Sequence, residues 1–178
     1  AQGQIMRLPL APFRVPSTKS GRKFCRPVEG DRVVWVELVR DATSVFVATK
    51  QARIIHFALD EVPILSGAGK GVRGIKLKPE HEVIALIIVN EGHILTATAN
   101  GFGKRTLAEE FSTQGRGGQG VIAIQTSDRN GKMVGAIQVT DEDEIMLISS
   151  SGTLVRTGVA EISTQGRNTQ GVRLIRVA

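Results

Sequence analysis

The chain has 178 residues, and its 23 Lys and Arg outnumber 17 Asp and Glu, giving a net charge of +6 and an isoelectric point near 10.0. The single cysteine, Cys25, excludes an internal disulfide and a cysteine-based metal site, and no apolar run approaches the roughly 18 residues of a membrane span. We therefore expect a soluble, cytoplasmic protein whose basic charge either favours solubility or attracts a polyanion such as nucleic acid.

The first strand predicted in each repeat is a continuous apolar run. Such runs of seven or eight residues, rich in Val, Ile or Leu, lie at 32–39, 82–89 and 132–139. Short continuous runs that are bounded by turn residues predict strands buried on both faces. We also expect Trp35 and the six phenylalanines, which lie in or beside apolar runs, to belong to the core.

A hairpin follows each of these runs. The second strands are predicted at 44–49, 94–98 and 145–149, and the third strands at 54–57, 103–106 and 154–157. The turns between them are Lys50-Gln51, Asn100-Gly101 and Ser151-Gly152. Asn-Gly is the strongest short hairpin signal, because both residues adopt a positive φ readily. A loop and a fourth strand then close each unit, at 71–77, 120–125 and 171–177.

The whole pattern recurs with a period near 50 residues. Residues 112–121 (STQGRGGQGV) return at 163–172 as STQGRNTQGV, 51 residues later. Four strands in about 50 residues predict a propeller-like blade, so the fold class is all-β. We expect one domain over 1–178, with repeats near 17–57, 66–106 and 115–157 and partial units at 1–13 and 164–178. Because closed propellers have about four to eight blades, this count predicts an arc of a larger ring.

Basic side chains recur at one phase of this pattern, in and beside Gly-rich loops. A repeated set of positive charges suits a repeated polyanion such as duplex DNA, although any one of them could be an ordinary solvated charge. The candidates from the loops are Arg14, Lys19, Arg22, Lys23, Lys70, Arg73, Arg116 and Arg167. The candidates from the third and fourth strands are Arg7, Arg53, Lys76, Lys104, Arg105, Arg156 and Arg173.

Four segments, in this order, carry a family resemblance: 91–106 (EGHILTATANGFGKRT), 127–135 (SDRNGKMVG), 152–157 (GTLVRT) and 162–174 (ISTQGRNTQGVRL). Together they resemble the C-terminal domain of the DNA gyrase A subunit, and the similarity extends from about residue 3 to residue 177. It implies a β-pinwheel, a propeller-like six-bladed disc whose blades exchange strands with their neighbours. In that family the basic rim of the disc wraps duplex DNA, which supports ATP-dependent negative supercoiling by the topoisomerase holoenzyme.

The resemblance also implies what this chain does not contribute. In the family the catalytic tyrosine lies in the N-terminal part of the A subunit, and ATP binds the B subunit. This chain contains no tyrosine, so we expect an accessory domain that is not an enzyme on its own. No metal site or cofactor is expected in it, since ATP and Mg act elsewhere in the holoenzyme. The implied partners are duplex DNA and, in a heterotetramer, the B subunit with the rest of the A subunit, at the bacterial nucleoid in the cytoplasm and away from any membrane.

One departure concerns the family's signature box, Gln-Arg-Arg-Gly-Gly-Lys-Gly, which lies in the first blade and is needed for wrapping. The nearest segment keeps five of these seven residues and loses two basic ones: Gln114-Gly115-Arg116-Gly117-Gly118-Gln119-Gly120. We interpret it as the equivalent loop of a later blade, a degenerate box. The chain is therefore expected to cover the later blades of the disc, without the blade that bears the box.

Alternative functions remain open at this point. The same blades occur in the C-terminal domain of topoisomerase IV, where they steer substrate choice without chiral wrapping. A propeller-type interaction scaffold is another possibility, and it predicts a large apolar patch on one face of the disc. The acidic run at 141–144 lacks the ligand spacing of a calcium loop and is interpreted as a solvated hairpin turn within one blade.

Overall fold

The computed structural model describes residues 1–16, 19–89 and 91–177, which form short antiparallel strands and single 3-10 turns and confirm the all-β class. The strands are β1 (Gln4–Ile5), β2 (Ser44–Thr49), β3 (Arg53–Ala58), β4 (Val72–Arg73), β5 (Val83–Val89), β6 (His93–Thr98), β7 (Phe102–Leu107), β8 (Val121–Ile122), β9 (Met133–Val139), β10 (Glu144–Ile148), β11 (Leu154–Gly158) and β12 (Val172–Arg173). The 3-10 turns are Ala11–Phe13, Leu59–Glu61, Ala108–Glu110 and Val159–Glu161.

The predicted hairpins are confirmed. The strand β2 pairs with β3, β6 pairs with β7, and β10 pairs with β11, all antiparallel. Gly101 and Gly152 adopt positive φ values of 80° and 86° at the turns of the second and third hairpins. The same position in the first hairpin is occupied by Ala52, with a φ of 59°.

Successive repeats exchange strands. The order of one four-stranded sheet is β5-β2-β3-β8, and that of the other is β12-β7-β6-β9. In each sheet, a hairpin lies between two strands from later in the chain, one from each of the two units that follow its own. A unit of the sequence is therefore not a unit in space, and neither repeat can complete its sheet alone.

The prediction of a strand over 32–39 is wrong, because this segment forms none. Its equivalents β5 and β9 pair with β2 and β6 of the preceding hairpin. Among the described residues, no hairpin before 32–39 offers it such an edge, and extended backbone without a partner is not a strand. Its side chains are accordingly exposed, Val36 by 72% and Trp35 by 41%, so Trp35 is not in the core.

The core contains four of the six phenylalanines: Phe46, Phe57, Phe102 and Phe111. Phe13 and Phe24 are exposed, so the prediction that all six are buried is also wrong. The largest buried cluster joins Phe46 and Ile54 of the first four-stranded sheet to Ile94 and Met133 of the second. The apolar contact between neighbouring sheets thus complements the exchange of strands. On β9, however, Val134 and Ile137 are exposed, so this strand is not buried on both faces.

The acidic run at 141–144 connects two sheets. It follows β9, which pairs with β6, and leads into β10, which pairs with β11. The prediction of a hairpin turn within one blade is therefore wrong. Asp143 Oδ2 accepts hydrogen bonds from the backbone N–H of Thr140 (2.6 Å) and from its hydroxyl (2.9 Å). These bonds hold the pKa of Asp143 below its ordinary value, and the bond from the backbone N–H contributes most.

Candidate nucleic-acid interface

The last glycine of each Gly-rich loop allows the loop backbone to pack closely against a neighbouring strand. Gly120 and Gly171, which immediately precede β8 and β12, have φ values of 69° and 76°. A Cβ atom on either would lie 2.6 Å from a backbone carbonyl oxygen, that of Ile54 or of Gly103. No larger residue fits there without moving the backbone, so glycine is what permits this close approach.

The loops and the fourth strands form one continuous edge. Lys76 N–H, just past β4, donates to the carbonyl of Gly118 in the loop before β8 (2.8 Å). Gln125 N–H, just past β8, donates in the same way to the carbonyl of Thr169 in the loop before β12 (2.8 Å). We call the line of β4, loop 114–120, β8, loop 165–171 and β12 the loop edge.

The first basic cluster on the loop edge consists of Arg73, Lys76 and Arg116. Arg73 and Lys76 are exposed, whereas Arg116 is partly buried. The Arg116 guanidinium donates through Nη1 to the carbonyl of Arg73 (2.5 Å) and through Nε to that of Glu61 (3.0 Å). These bonds fix loop 114–120, the degenerate box, beside β4. The side chains of Arg73 and Lys76 then remain directed to solvent along the same edge.

The second basic cluster consists of Arg129 and Arg173, beside loop 165–171, which carries Arg167; Arg129 Nη1 donates to Gln170 Oε1 of that loop (3.2 Å). The guanidinium carbons of Arg129 and Arg173 lie 4.7 Å and 4.6 Å from the ring centroid of Phe102. Attraction to the ring face offsets part of the repulsion between the two cations. Arg129 is not among the residues predicted from the sequence, although it lies in the segment 127–135 that carries the family resemblance. Its position in a turn, away from the repeated loop, leaves no periodic signal.

Arg116 and Arg167 occupy equivalent positions and make equivalent contacts. The backbone N–H of Arg116 donates to Glu61 Oε2 (2.9 Å), and that of Arg167 donates to Glu110 Oε2 (3.3 Å). Arg167 Nη1 donates to the carbonyl of Ile122 (3.1 Å), just as Arg116 does to that of Arg73. One guanidinium is therefore held in the same way twice along the loop edge, although Ile122 and Gln125 occupy the positions that Arg73 and Lys76 have in the first copy.

Two predicted candidates lie in the interior instead. Lys104 is fully buried, and its ammonium donates to the carbonyls of Gly166 and Arg167 (2.8 Å to the latter) and to the Thr169 hydroxyl (3.0 Å). Removal from water lowers the pKa of Lys104 to about 8; the carboxylate of Glu110 opposes this shift and the Arg167 charge adds to it. Lys104 thus holds a loop and presents no charge at the surface.

Arg105 contacts a backbone carbonyl inside the protein, and the two residues at equivalent positions of the preceding repeats do the same. Arg105 Nε donates to the carbonyl of Ile162 (2.7 Å), and Arg7 Nε donates to that of Val62 (2.7 Å). His56 Nδ1 lies 2.7 Å from the carbonyl of Phe111. Each acceptor directly follows a 3-10 turn of the next repeat. The three side chains therefore hold successive repeats together, and we call them the latch. The sequence did not predict this role for any of them.

The remaining candidates are dispersed over the described surface. Arg53 is partly buried and donates through Nη1 to the carbonyl of Gly120 (2.9 Å). Arg156 is exposed and forms an ion pair with Glu144. Four others lie exposed on the long segment between β1 and β2 and a fifth precedes β4: Arg14, Lys19, Arg22, Lys23 and Lys70. None of these joins either basic cluster through a described contact.

Comparison with known families gives the fold and the loop edge a context. A family model described as the DNA gyrase C-terminal domain, beta-propeller, matches residues 43–90, 92–140 and 143–178. The chain belongs to this family. Along its whole length it is 45% identical to the DNA gyrase A subunit of Salmonella typhimurium, of which it covers 20%. The chain thus spans about a fifth of the length of the curated relatives that it matches.

Solved structures agree with this membership. A DNA gyrase A C-terminal domain superposes with a TM-score of 0.89 and 27% identity, over 100% of this chain and 60% of that one. The C-terminal domain of a DNA topoisomerase IV superposes with a TM-score of 0.88 at 21% identity, over 98% of this chain and 55% of that one, which reflects a shared fold. No helix among the described residues is long and apolar enough to cross a membrane.

Proposed function

We propose that the loop edge binds duplex DNA without sequence specificity and wraps it, as part of the C-terminal domain of a gyrase A subunit. The supporting observation is that one arginine is held in the same way twice along a continuous edge, as Arg116 and as Arg167, 51 residues apart. Exposed side chains flank each of them: Arg73 and Lys76 in one cluster, and Arg129 and Arg173 in the other. Positive charges distributed along one edge suit the regular negative charge of a DNA backbone.

The chemistry of this edge suits phosphates. A surface that bends DNA of any sequence should contact the backbone, because contacts to base edges would confine it to chosen sites. Each lysine or arginine that neutralises a phosphate releases counterions, which makes binding depend steeply on salt. Smooth bending of 20–30 bp by 40–90° costs of order 1–6 kcal/mol, so several repeats must share the contacts.

The proposed role in the holoenzyme is accessory. This chain contains no tyrosine, so strand cleavage would be carried out by the rest of the A subunit, while ATP hydrolysis with its Mg would be carried out by the B subunit. Wrapping on the loop edge would present a crossing segment of DNA to that machinery, which would convert it into negative supercoils. The proposed setting is the heterotetramer of these two kinds of gyrase chain at the bacterial nucleoid in the cytoplasm.

Two other functions make different predictions. Topoisomerase IV domains share the fold, but the curated relative named above, at 45% identity, is a gyrase A subunit, which favours gyrase. A protein-interaction scaffold is favoured by one observation, a largely apolar groove of about 640 Å³ that runs along the exposed segment 32–39 and includes Trp35. This groove lies at a segment without a strand partner, apart from both basic clusters.

Salt dependence of DNA binding tests the proposal. We would titrate a random-sequence duplex of about 40 bp by fluorescence anisotropy at several salt concentrations, with the chain, with Arg73→Gln/Lys76→Gln, and with Lys50→Gln as an exposed control outside both clusters. We expect a steep fall of log K with log salt, and a slope about 1.8 smaller in magnitude for the double variant, since each phosphate contact contributes about 0.9. Flat or absent binding at low salt would contradict DNA binding by this edge and favour the scaffold.

A further inference from the structure

The two Gly-rich loops of the loop edge rest on different buried side chains. Ile55 and Lys104 are equivalent residues of β3 and β7, 49 residues apart, and both are fully buried. The Ile55 Cδ1 atom reaches to 3.4 Å from the position that a Cβ on Gly118 would take. Beneath the other loop, the Lys104 ammonium takes the place of this apolar group. One loop is thus supported by apolar packing and the other by a buried cation.

The loop residues differ in step with these supports. Where loop 114–120 has Gly117-Gly118, loop 165–171 has Asn168-Thr169. Gly118 leaves room for Ile55, whereas Thr169 supplies a hydroxyl that accepts from Lys104 Nζ at 3.0 Å. The same hydroxyl donates to Gln165 Oε1 (2.8 Å), so it connects the ammonium to the beginning of the loop. The buried side chain and the loop residues above it thus differ together, and each combination supports a loop at the equivalent position.

A buried ammonium is costly unless its donors are satisfied. Lys104 satisfies them within one loop, on two successive carbonyls and one hydroxyl, without a direct carboxylate partner in the described contacts. The nearest opposing charge, Glu110, accepts the backbone N–H of Arg167 from the same loop. Both charged groups therefore act on the segment that carries Arg167. Because the loop carbonyls turn inward to Lys104, the loop has a fixed shape before any ligand arrives.

We propose that Lys104 is the positioning residue of loop 165–171: its buried ammonium holds the loop in the shape that presents Arg167 to DNA phosphates. This inference rests on the proposed function, since it assigns a residue that tunes DNA binding by the same edge. Lys104 itself does not touch DNA. It acts through the loop, as Ile55 does for the loop of Arg116.

The charge on Lys104 makes the proposal sensitive to pH. The charged groups that face its ammonium are the Glu110 carboxylate on the 3-10 turn and the Arg167 guanidinium on the loop. Burial lowers the pKa of Lys104 to about 8, so a mildly alkaline solution removes the charge. Deprotonation removes a positive charge from beneath the loop that carries Arg167 and so weakens the attraction between this part of the edge and phosphates. DNA affinity should therefore fall as the pH rises through about 8.

Four proteins test this: the chain itself, Lys104→Met, Lys132→Met and the triple variant Lys104→Ile/Asn168→Gly/Thr169→Gly. Lys104→Met uses the residue found at the equivalent position 6, and Lys132→Met removes one exposed charge elsewhere. The triple variant installs the apolar support with its matching diglycine, as in loop 114–120. Affinity for a 40-bp duplex is measured at pH 7.0 and 9.5, and amide exchange of residues 165–171 is measured without DNA.

We expect Lys104→Met to bind several-fold more weakly at pH 7.0, with faster exchange in the loop, and to lose less affinity than the chain itself on going to pH 9.5. Lys132→Met should keep both the loop protection and the pH response. The triple variant should regain slow exchange and affinity and should no longer respond to pH. Rescue of this kind, together with the pH profile, separates positioning from a general loss of stability.

Other results would overturn the proposal. If Lys104→Met binds and exchanges like the unchanged chain, Lys104 does not hold the loop. If exchange accelerates while affinity and its pH response stay the same, the loop is held but takes no part in DNA binding. If the unchanged chain itself binds no DNA, the proposed function fails, and with it any role of Lys104 in that function; amide exchange then reports separately on the loop.

Discussion

At the scale of single residues, burial distinguishes basic side chains that the sequence groups together as surface candidates. The sequence groups Lys104 with surface bases, because lysine is rarely buried without a partner. The signal that could have placed it inside is its column in the repeat, where the other residues are Met6, Ile55 and Val155. An apolar column marks an inward position whatever residue occupies it. What the sequence could not give is the partner set, since Gly166 and Arg167 contribute only backbone oxygens.

The buried lysine predicts a specific dependence of stability on pH. In the folded chain the pKa of Lys104 is about 8, whereas an unfolded lysine titrates near 10.4. Between these values the unfolded state binds more protons, so the free energy of unfolding rises with pH, by at most about 1.4 kcal/mol per pH unit. Below pH 8 both states are protonated and the burial penalty is present in full.

Urea unfolding at pH 7.5, 8.5 and 9.5 measures this effect. The chain should gain stability over this range relative to Lys104→Met, which has no titratable group at position 104. Stability and DNA affinity are thus expected to move in opposite directions with pH. Parallel stability profiles for the two proteins would show that Lys104 keeps an ordinary pKa in the folded state.

Glycine at the start of β8 makes a second prediction at this scale. In Gly120→Ala the new Cβ would meet the Ile54 carbonyl oxygen at 2.6 Å, at a φ of 69° that alanine adopts with strain. We expect a loss of about 2–3 kcal/mol in the free energy of unfolding. Gly115→Ala, in the same loop, is the control, because nothing lies within 4 Å of its Cβ position. It should change stability by no more than about 0.5 kcal/mol in urea unfolding; equal losses would refute the steric argument.

At the scale of elements, local signals predicted hairpins well and paired strands less well. The turns at Asn100-Gly101 and Ser151-Gly152 are determined by their own residues, and both hairpins formed as predicted. A segment such as 32–39 becomes a strand only if another repeat supplies an edge for it to pair with. Its own residues do not encode whether that edge is present. Its apolar composition is that of β5 and β9, yet among the described residues it has no hairpin to pair with. Composition specifies the ability to pair, and topology decides whether pairing occurs.

The latch between repeats gives a prediction for the hairpin β10–β11. In Arg105→Met the carbonyls of Ile162 and Ala160 lose a charged donor at 2.7 Å and 3.3 Å. We expect a loss of about 2–3 kcal/mol, as for charged hydrogen bonds, and faster amide exchange in β10 and β11. Asp141 adds little to this, since it is largely exposed.

The matched control for this latch is Arg156→Met, at the equivalent position of the next repeat. Arg156 pairs with Glu144 at the surface, and both side chains are more than half exposed. Removal of such a pair should cost less than about 1 kcal/mol. If both substitutions have the same effect on unfolding in urea, the buried latch contributes no more than a surface ion pair does.

At the scale of the whole molecule, exchange of strands turns a row of repeats into one continuous edge. Each loop lies against the fourth strand of the preceding sheet, through Lys76 to Gly118 and through Gln125 to Thr169. The basic clusters are therefore fixed relative to each other by backbone hydrogen bonds. A rigid line of charges favours one ligand that runs along it over several ligands that bind independently.

Additivity between the two clusters tests whether one DNA molecule follows the loop edge. On a 40-bp duplex, Arg73→Gln/Lys76→Gln and Arg129→Gln/Arg173→Gln should each reduce the magnitude of the salt slope by about 1.8, and all four changes together by about 3.6, because each phosphate contact contributes about 0.9. The losses should be the same on duplexes of unrelated sequence, since phosphates carry no sequence information. Anisotropy titrations should also give one duplex per chain. A loss confined to one cluster would mean that DNA contacts a single site and does not run along the edge. A loss that depends on sequence would mean that these side chains contact bases.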